Sequence, residues 1–515
     1  MESGNPSSAY GRRDVLLVAF YNRKALGVRF LESALRREGF SVRTVFFKDF
    51  NSIRPTEATG RELDLLESVI RETGPGLVSL SVMSSMYFQT VELVLERVKT
   101  CFSGPVVCGG VFATMFPSVF LSRGVPYVIR GDGERALPRL AGAVQNGKSP
   151  ETIPGLCFRK EGEDVCNPIG DLPNQLDEYG IPTVNSEGSC LIENDRLTWG
   201  DPQLSSRSYE TITSRGCPFS CSYCCSAPLR SLLPPGVHGI RFRSVESVME
   251  ELREAKKQCK HLAFIHFYDE IFPTLPGWID SFVEAYRKEI RLPFTIWSHP
   301  KTTNPETLKK LVSAGLTEVI IGIQSGSDHI RKEVFDRQET REEILTAVNA
   351  VRESGVFWAS YDLMLLHPFE DLSDLKETFC LLKEMKLPFE LQIHGLNFLP
   401  GTPIVQKAIR AGLFTEEQME RALFAPMSEQ FGNYWSRVAP EANELLYRLI
   451  YCMQFRFLRT VAVRWESCPE NHRKGIAVLY GFARRQSRIR YYSKKARVVL
   501  RSALYGLFYR TREAL

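Results

Sequence analysis

No stretch of this 515-residue chain approaches the roughly 20 uninterrupted apolar residues that cross a bilayer, so no membrane-spanning helix is expected. The opening "MESGNPSSAYGRRDVLLVAF" lacks the charged, apolar and cleavage regions of a secretory signal, which argues for a cytoplasmic chain with reduced thiols. Low-complexity tracts and fixed-period repeats are absent too, setting aside disordered and solenoid architectures. At 43% hydrophobic and 24% charged residues, the chain is long enough for two or three ordinary globular domains. The net charge is only +5, but residues 451–515 hold fifteen Lys or Arg against three Glu. Also missing is a second C-x2-C, or an H-x3-H, to complete a zinc site with the one cysteine cluster present.

That cluster is "RGCPFSCSYCCSAP", residues 215–228, with four of the thirteen cysteines. Its spacing is C-x3-C-x2-C at Cys217, Cys221 and Cys224, followed directly by Cys225. Pro218 and the small Ser220 and Ser222 let such a loop curl round an inorganic cluster. Adjacent side chains on a curling loop diverge, so Cys225 is read as a packing residue. Three ligands on a four-iron cluster leave one iron open for a substrate. A zinc or purely structural cluster is the alternative that spacing alone leaves standing.

With the aromatic Tyr223 just before the third cysteine, this segment resembles the signature of the radical S-adenosylmethionine (SAM) superfamily. The resemblance implies a 4Fe-4S cluster on Cys217, Cys221 and Cys224 whose open iron chelates the amino and carboxylate groups of SAM. One electron from the cluster then yields methionine and a 5'-deoxyadenosyl radical. After the cluster, strand-like and helix-like runs alternate as a β/α barrel requires, from "YETITSRG" through "HLAFIHFYDEIF", "PFTIWSHP", "TEVIIGIQSGSD" and "VFWASYDLMLLHP" to "FELQIHGLNFLPGTP". Each apolar run ends in polar or Gly residues, where barrel active sites collect. "IIGIQSGSDHIRKEVFDRQETREEI" and "NFLPGTPI" resemble segments of the same superfamily, implying SAM contacts at Tyr223, Gly322, Gln324 and Ser325. Asp269 and Glu270 also end a strand, either as a site pair or as a solvated cap or helix N-terminal acid.

The first 145 residues have a different rhythm: "DVLLVAF", "SVRTVFF", "GLVSLSV", "PVVCG" and "PYVIRG" are short buried-type strands separated by helical runs. The pattern is a five-strand doubly wound sheet, whose ligand crevice lies beyond the strands' carboxyl ends. Its loops resemble those of cobalamin-binding domains fused to radical SAM barrels. Where such a domain supplies an axial imidazole it carries Asp-x-His-x-x-Gly, and this chain has Asn22-x-Lys24-x-x-Gly27. A charged lysine is no imidazole, so the resemblance implies a cobalt without a ligand from this loop. Ser81, Ser84, Gly109 and Gly110 fit the loops beside the nucleotide tail, where glycine permits close backbone approach. An α/β domain that binds nothing, serving a partner, is the bland alternative.

Between the two units, "IPGLCFRKEGEDVCNPIGDLPNQLDEYG" reads as a hairpin and a Pro- and Gly-rich connector, with Cys157 and Cys166 as inert packing residues. The cysteine triad and terminal β-barrel of methylthiotransferases are not visible. The end of the chain reads as helical and basic. Arg490, Lys494, Arg497 and Arg501 step along one face, with Leu500, Leu504, Leu507 and Phe508 adjoining. That face either packs on the core with a solvated side or touches an anionic membrane surface; no nucleic-acid fold is present.

The expected architecture is therefore α/β: a doubly wound Rossmann-like cobalamin domain (10–147), a connector (148–202), a partial (β/α)6 TIM-type radical SAM barrel (203–430) and a helical basic region (431–515). The resemblance implies a methyltransferase acting at an unactivated carbon of a small-molecule or lipid substrate, supplied with electrons by a donor such as flavodoxin or ferredoxin. Cyclisation, rearrangement or C–C coupling in the same scaffold is the alternative chemistry. The chain is expected in the cytoplasm or peripherally at the inner membrane surface.

Overall fold

A computed structural model describes residues 14–510 apart from 52, 53, 171, 183, 185, 186 and 436–438, and leaves undescribed the side chains of 432–435, 495 and 497–510. The chain divides into two compact units. The first runs to Ser206 and takes in Pro228–His261 and Glu420–Phe431; the second comprises Arg207–Ala227, Leu262–Met419 and the chain from Gly432 on.

Five apolar runs form the heart of the first unit: β1 Asp14–Phe20, β2 Ser41–Phe47, β3 Leu77–Ser81, β4 Val106–Gly109 and β5 Tyr127–Ile129. All pair in parallel in the order β5-β4-β3-β1-β2. A parallel sheet buries both faces, which is why the runs read as unbroken hydrophobic stretches rather than alternating ones. Helix Leu26–Arg37 covers it through Val28, Phe30, Ala34 and Leu35. Helix Gly60–Thr73 starts from a reciprocal cap, in which Thr59 Oγ accepts from Glu62 N and the Glu62 carboxylate accepts from Thr59 N.

Residues 148–202, expected as a separate connector, instead lengthen this sheet at both edges. The hairpin β6 Leu156–Lys160 and β7 Glu163–Cys166 joins antiparallel to β5. At the far edge β8 Ser189–Glu193 lies parallel to β2, and β9 Arg196–Trp199 closes the nine-stranded sheet. Register places Cys157 opposite Cys166, and the two are joined as a disulfide rather than remaining separate packing thiols. A buried Arg29–Asp201 ion pair at 2.5 Å fastens the end of this segment to the first helix.

The second unit holds six parallel strands in sequential order: β10 Ser208–Thr211, β11 Phe264–Phe267, β12 Phe294–Ser298, β13 Leu316–Gln324, β14 Trp358–Met364 and β15 Glu390–His394. It is the expected partial barrel with one change. The helix after β10, Val245–Gln258, belongs to the first unit, where Arg243 bonds Glu251 and lies over the Phe30 ring. Outward-facing residues such as Phe267 and Phe294 pack with Phe282 and Tyr286 of the next helix. The inward face is different in kind: His266, Tyr268, Thr295, Trp297, Glu318, Ser360 and Asp362 lie there, tied by Ser360 Oγ to Glu318 and by a Tyr268–Trp297 stack at 4.5 Å.

The basic end of the chain is one long helix, Arg473–Arg510. Two of the four cations expected on its charged face are spoken for. Arg490 sits over the Phe455 and Trp358 rings and donates to Phe389 O at 3.1 Å, while Lys494 ion-pairs with Glu318. Their face is thus a docking face on the barrel strands, because buried carboxylates there demand cations. Arg497, Arg501, Leu500, Leu504, Leu507 and Phe508 lie outside the described side chains. Among the described residues, no helix is long and apolar enough to cross a membrane.

Candidate active site

The cysteine loop leaves β10 through Thr213 and Ser214. Asp269, just beyond β11 and buried, accepts at one oxygen from Thr213 N (2.9 Å), Thr213 Oγ1 (2.8 Å) and Ser214 Oγ (2.5 Å). Burial outweighs these donors and lifts its pKa to about 6, with Glu270 adding repulsion. Asp269 is therefore neither a solvated cap nor a helix N-terminal acid; it pins the root of the loop.

The loop is held from a second side by the segment after β13. Ser222 is fully buried, its amide donating to Phe335 O at 2.9 Å and its hydroxyl to Val334 O at 2.6 Å, while Ile404 N donates to Ser222 O. The Tyr223 ring meets Phe335 edge-on at 5.0 Å, and its hydroxyl accepts from Arg337 Nη1 at 3.0 Å. Arg337 also donates to Gly322 O (2.7 Å) and Glu339 (2.5 Å), reaches Cys221 Sγ at 4.0 Å and abuts His299 Nε2. Burial and that guanidinium drive the His299 pKa down to about 2, so the ring is neutral, and Phe219 stacks on it at 3.8 Å.

Cys217, Cys221 and Cys224 are half-buried within this frame. Burial pushes the Cys217 thiol up to about 11, the other two thiols adding to it. Burial also raises Cys221, against the pull of Arg337. Cys224 is lowered, first by the hydrogen bond from the Cys225 thiol and then by Ser226, whose amide lies 3.5 Å from the sulfur. Cys225 lies against its neighbour's sulfur, and its own thiol is raised in turn. Among the described residues, no three His, Cys, Asp or Glu side chains converge as ligands of a single metal ion. A four-iron cluster asks something else, one iron per cysteine, so its thiolates stand apart.

The expected SAM contacts divide. A Cβ at Gly322 would lie 2.5 Å from Gln324 Nε2, so the missing side chain makes room for the Gln324 amide, whose backbone is left-handed at a register shift. Ser325 faces the other way: it is buried, with its hydroxyl accepting from Ser327 N at 3.1 Å and close to Thr378. Glu270 keeps exposed surface beside the loop, yet its carboxyl is raised, first by burial against the loop and also by Cys224, with the Gly216 amide opposing. Arg337 and His299 were missed by sequence reasoning, because only folding brings them to the loop.

In the first unit, the strand order reverses between β1 and β3, and the loops after those strands frame the switch-point crevice. Asn22 spends its side-chain oxygen on Lys24 N (2.8 Å) and Ala25 N (2.9 Å), making a turn that starts helix Leu26–Arg37. No histidine lies in the loop. Tyr21 stacks on Tyr87 at 4.7 Å across the crevice and bonds Thr90 Oγ1 at 2.6 Å. Ser84 accepts from Met86 N, and Met83 between the two serines is 53% exposed. A Cβ at Gly110, whose φ is +95°, would strike Val82 O at 2.6 Å, so that glycine answers to the protein's own backbone. A Cβ at Gly27 would meet nothing within 4 Å outside its own turn of helix. Open space at a helix start, a bare thioether and no imidazole suit a corrinoid held by packing.

A parallel barrel with a three-cysteine loop at its strand ends, joined to a switch-point α/β unit, defines a cobalamin-dependent radical SAM enzyme. The comparisons agree: residues 211–382 match the radical SAM superfamily and residues 12–141 match the B12 binding domain. The chain belongs to this family, with a 4Fe-4S cluster, SAM and cobalamin as cofactors, and with methyltransferases and anaerobic magnesium-protoporphyrin IX monomethyl ester cyclases among its relatives. It is 24% identical to an uncharacterized methyltransferase of Pyrococcus horikoshii over 75% of this chain and 79% of that one. The cytidylyl-2-hydroxyethylphosphonate methyltransferase of Streptomyces wedmorensis is 20% identical, over 80% and 82% respectively. In fold, the chain is similar to the radical SAM methyltransferase TsrM from Kitasatospora setae, solved with cobalamin and a 4Fe-4S cluster: TM-score 0.60 at 16% identity, covering 92% of this chain and all of that one.

Proposed function

We propose that this enzyme transfers a methyl group to an unactivated carbon of a small molecule. The observation that carries the reading is the pairing, in one chain, of an iron-ready cysteine loop with an imidazole-free corrinoid crevice. An unactivated C–H bond has no acidity for a side-chain base to exploit, so the hydrogen would be removed by a radical, and a bound corrinoid would supply the methyl. Cys217, Cys221 and Cys224 would hold the cluster, with Cys225 lying against a ligand sulfur. Gly322 and Gln324 would meet SAM, and Glu270 stands beside Cys224 and Gly216 of the loop. In the other unit, Gly27, Ser81, Met83, Ser84 and Gly109 would meet the corrinoid, and Lys24 would not ligate the cobalt.

The inward barrel face supports a polar, hydrogen-bonding substrate rather than a hydrocarbon one. Asp362 adds to this, its carboxyl raised to about 7 by burial and by Glu318. A low-potential donor such as flavodoxin or ferredoxin would supply the electron. The test is stoichiometric. One SAM remethylates the cofactor and a second is cleaved, so S-adenosylhomocysteine and 5'-deoxyadenosine should form in about equal amounts per methylated product. Deoxyadenosine without adenosylhomocysteine would move the reaction to cyclisation or rearrangement. Metabolite profiling of a deletion strain would supply the substrate.

A further inference from the structure

Helix Arg473–Arg510 has two periodic stripes, and the fold uses only one. Ile476, Tyr480, Ala483, Ser487, Arg490 and Lys494 recur every three or four residues and face inward. Ile476 and Ala483 are fully buried, Tyr480 meets Tyr451 edge-on at 5.3 Å, and Ser487 bonds the Tyr451 hydroxyl at 2.9 Å. About 200° round the helix stand Val478, Phe482, Ile489 and Tyr492, at 75, 50, 54 and 69% exposure. This second stripe is as regular as the first, spaced by four, seven and three residues, with exposed Arg485 filling the gap.

Charge makes the outer face one-sided. Lys474, Arg485 and Arg488 are all exposed on or beside it, and residues 473–510 contain eleven Lys or Arg and no Asp or Glu. Exposed apolar residues scattered singly need no explanation, but a periodic stripe flanked by cations does. The stripe runs about 21 Å along a single convex helix. Rings and branched aliphatics interrupted and flanked by cations, with no acid, form the pattern that lies in a lipid headgroup layer.

We infer that Val478, Phe482, Ile489 and Tyr492, with Lys474, Arg485 and Arg488, form a face that adsorbs to an anionic lipid surface, on the side of the helix opposite its docking on the barrel. The face is independent of the chemistry in the active site. It also differs from the Arg490/Lys494 face, which is occupied within the protein.

Flotation of the full-chain holoenzyme with phosphatidylcholine vesicles, and with vesicles of mixed phosphatidylcholine and phosphatidylglycerol, tests it. Binding should require phosphatidylglycerol and weaken with salt. It should fall about tenfold or more in Phe482→Ser/Ile489→Ser and, separately, in Arg485→Glu/Arg488→Glu. Both double variants change outward side chains and should melt like the parent, so a loss of binding is not a loss of fold. Equal flotation of parent and variants, or none with any vesicle, would overturn the assignment. Capture by an acidic flavodoxin without vesicle binding would overturn it in favour of a protein partner.

Discussion

Cys224 and Cys225 are chain neighbours with different proposed duties, Cys224 holding iron and Cys225 lying against the Cys224 sulfur without ligating. Cys225→Ala should therefore retain the cluster, and Cys217→Ala, Cys221→Ala and Cys224→Ala should each lose it, measured as iron, sulfide and the visible charge-transfer band after anaerobic reconstitution. Asp269 gives a second outcome with a definite sign. Its folded pKa of about 6 exceeds the ordinary 3.8, so the fold binds this proton more tightly than the unfolded chain does. Its contribution is fullest below the ordinary value and is lost as pH rises through about 6, a swing on the order of 3 kcal/mol. Asp269→Asn keeps the acceptor oxygen and removes the titration. Urea midpoints of the apoprotein should favour the variant increasingly as pH climbs through that range. The cysteine spacing was legible because iron imposes it on neighbouring residues. Arg337 was not, since it meets Cys221 across 116 residues and carries no local signature.

At the level of elements, the strands and their order of appearance could be read from apolar runs, and the crevice followed from the doubly wound pattern. What the runs could not reveal was the fate of residues 148–202. Strands that join the edge of an existing sheet look, in sequence, like any short hairpin. The same ambiguity hid the Cys157–Cys166 bond, which exists because the hairpin's register sets the two opposite each other. Gly27 separates a structural glycine from a ligand's glycine. It lies in the first turn of a helix with nothing within 4 Å of a built Cβ, so Gly27→Ala should leave the apoprotein as stable or better, by up to about 1 kcal/mol. If the corrinoid fills that space, the same change should weaken cobalamin uptake, measured by absorbance after desalting. Unchanged uptake would remove Gly27 from the cradle.

At the scale of the whole chain, the terminal helix completes the barrel unit. Lys494→Ala would strand Glu318, which is 6% exposed, without its counter-charge, at a cost of about 3–5 kcal/mol. Lys494→Met combined with Glu318→Gln should recover most of that loss, as seen in thermal melts. Sequence periodicity revealed the helix and its cationic rows, but a helix with two periodic stripes does not say which side the protein claims.

The nine-stranded sheet also bears on how this gene can be recombined. β2 receives its outer partner only from residues 188–192, through Thr44 N to Gly188 O and Lys48 N to Ile192 O. A corrinoid module excised at residue 147 would carry a bare, flat, β-branched and aromatic strand edge, the kind that templates aggregation. A cut at residue 147 therefore divides one continuous sheet, since the strands that return to β2 belong to the same unit. Fusion, circular permutation or domain exchange in this family should succeed only where the cut spares the returning strands, however well the boundary is marked in sequence.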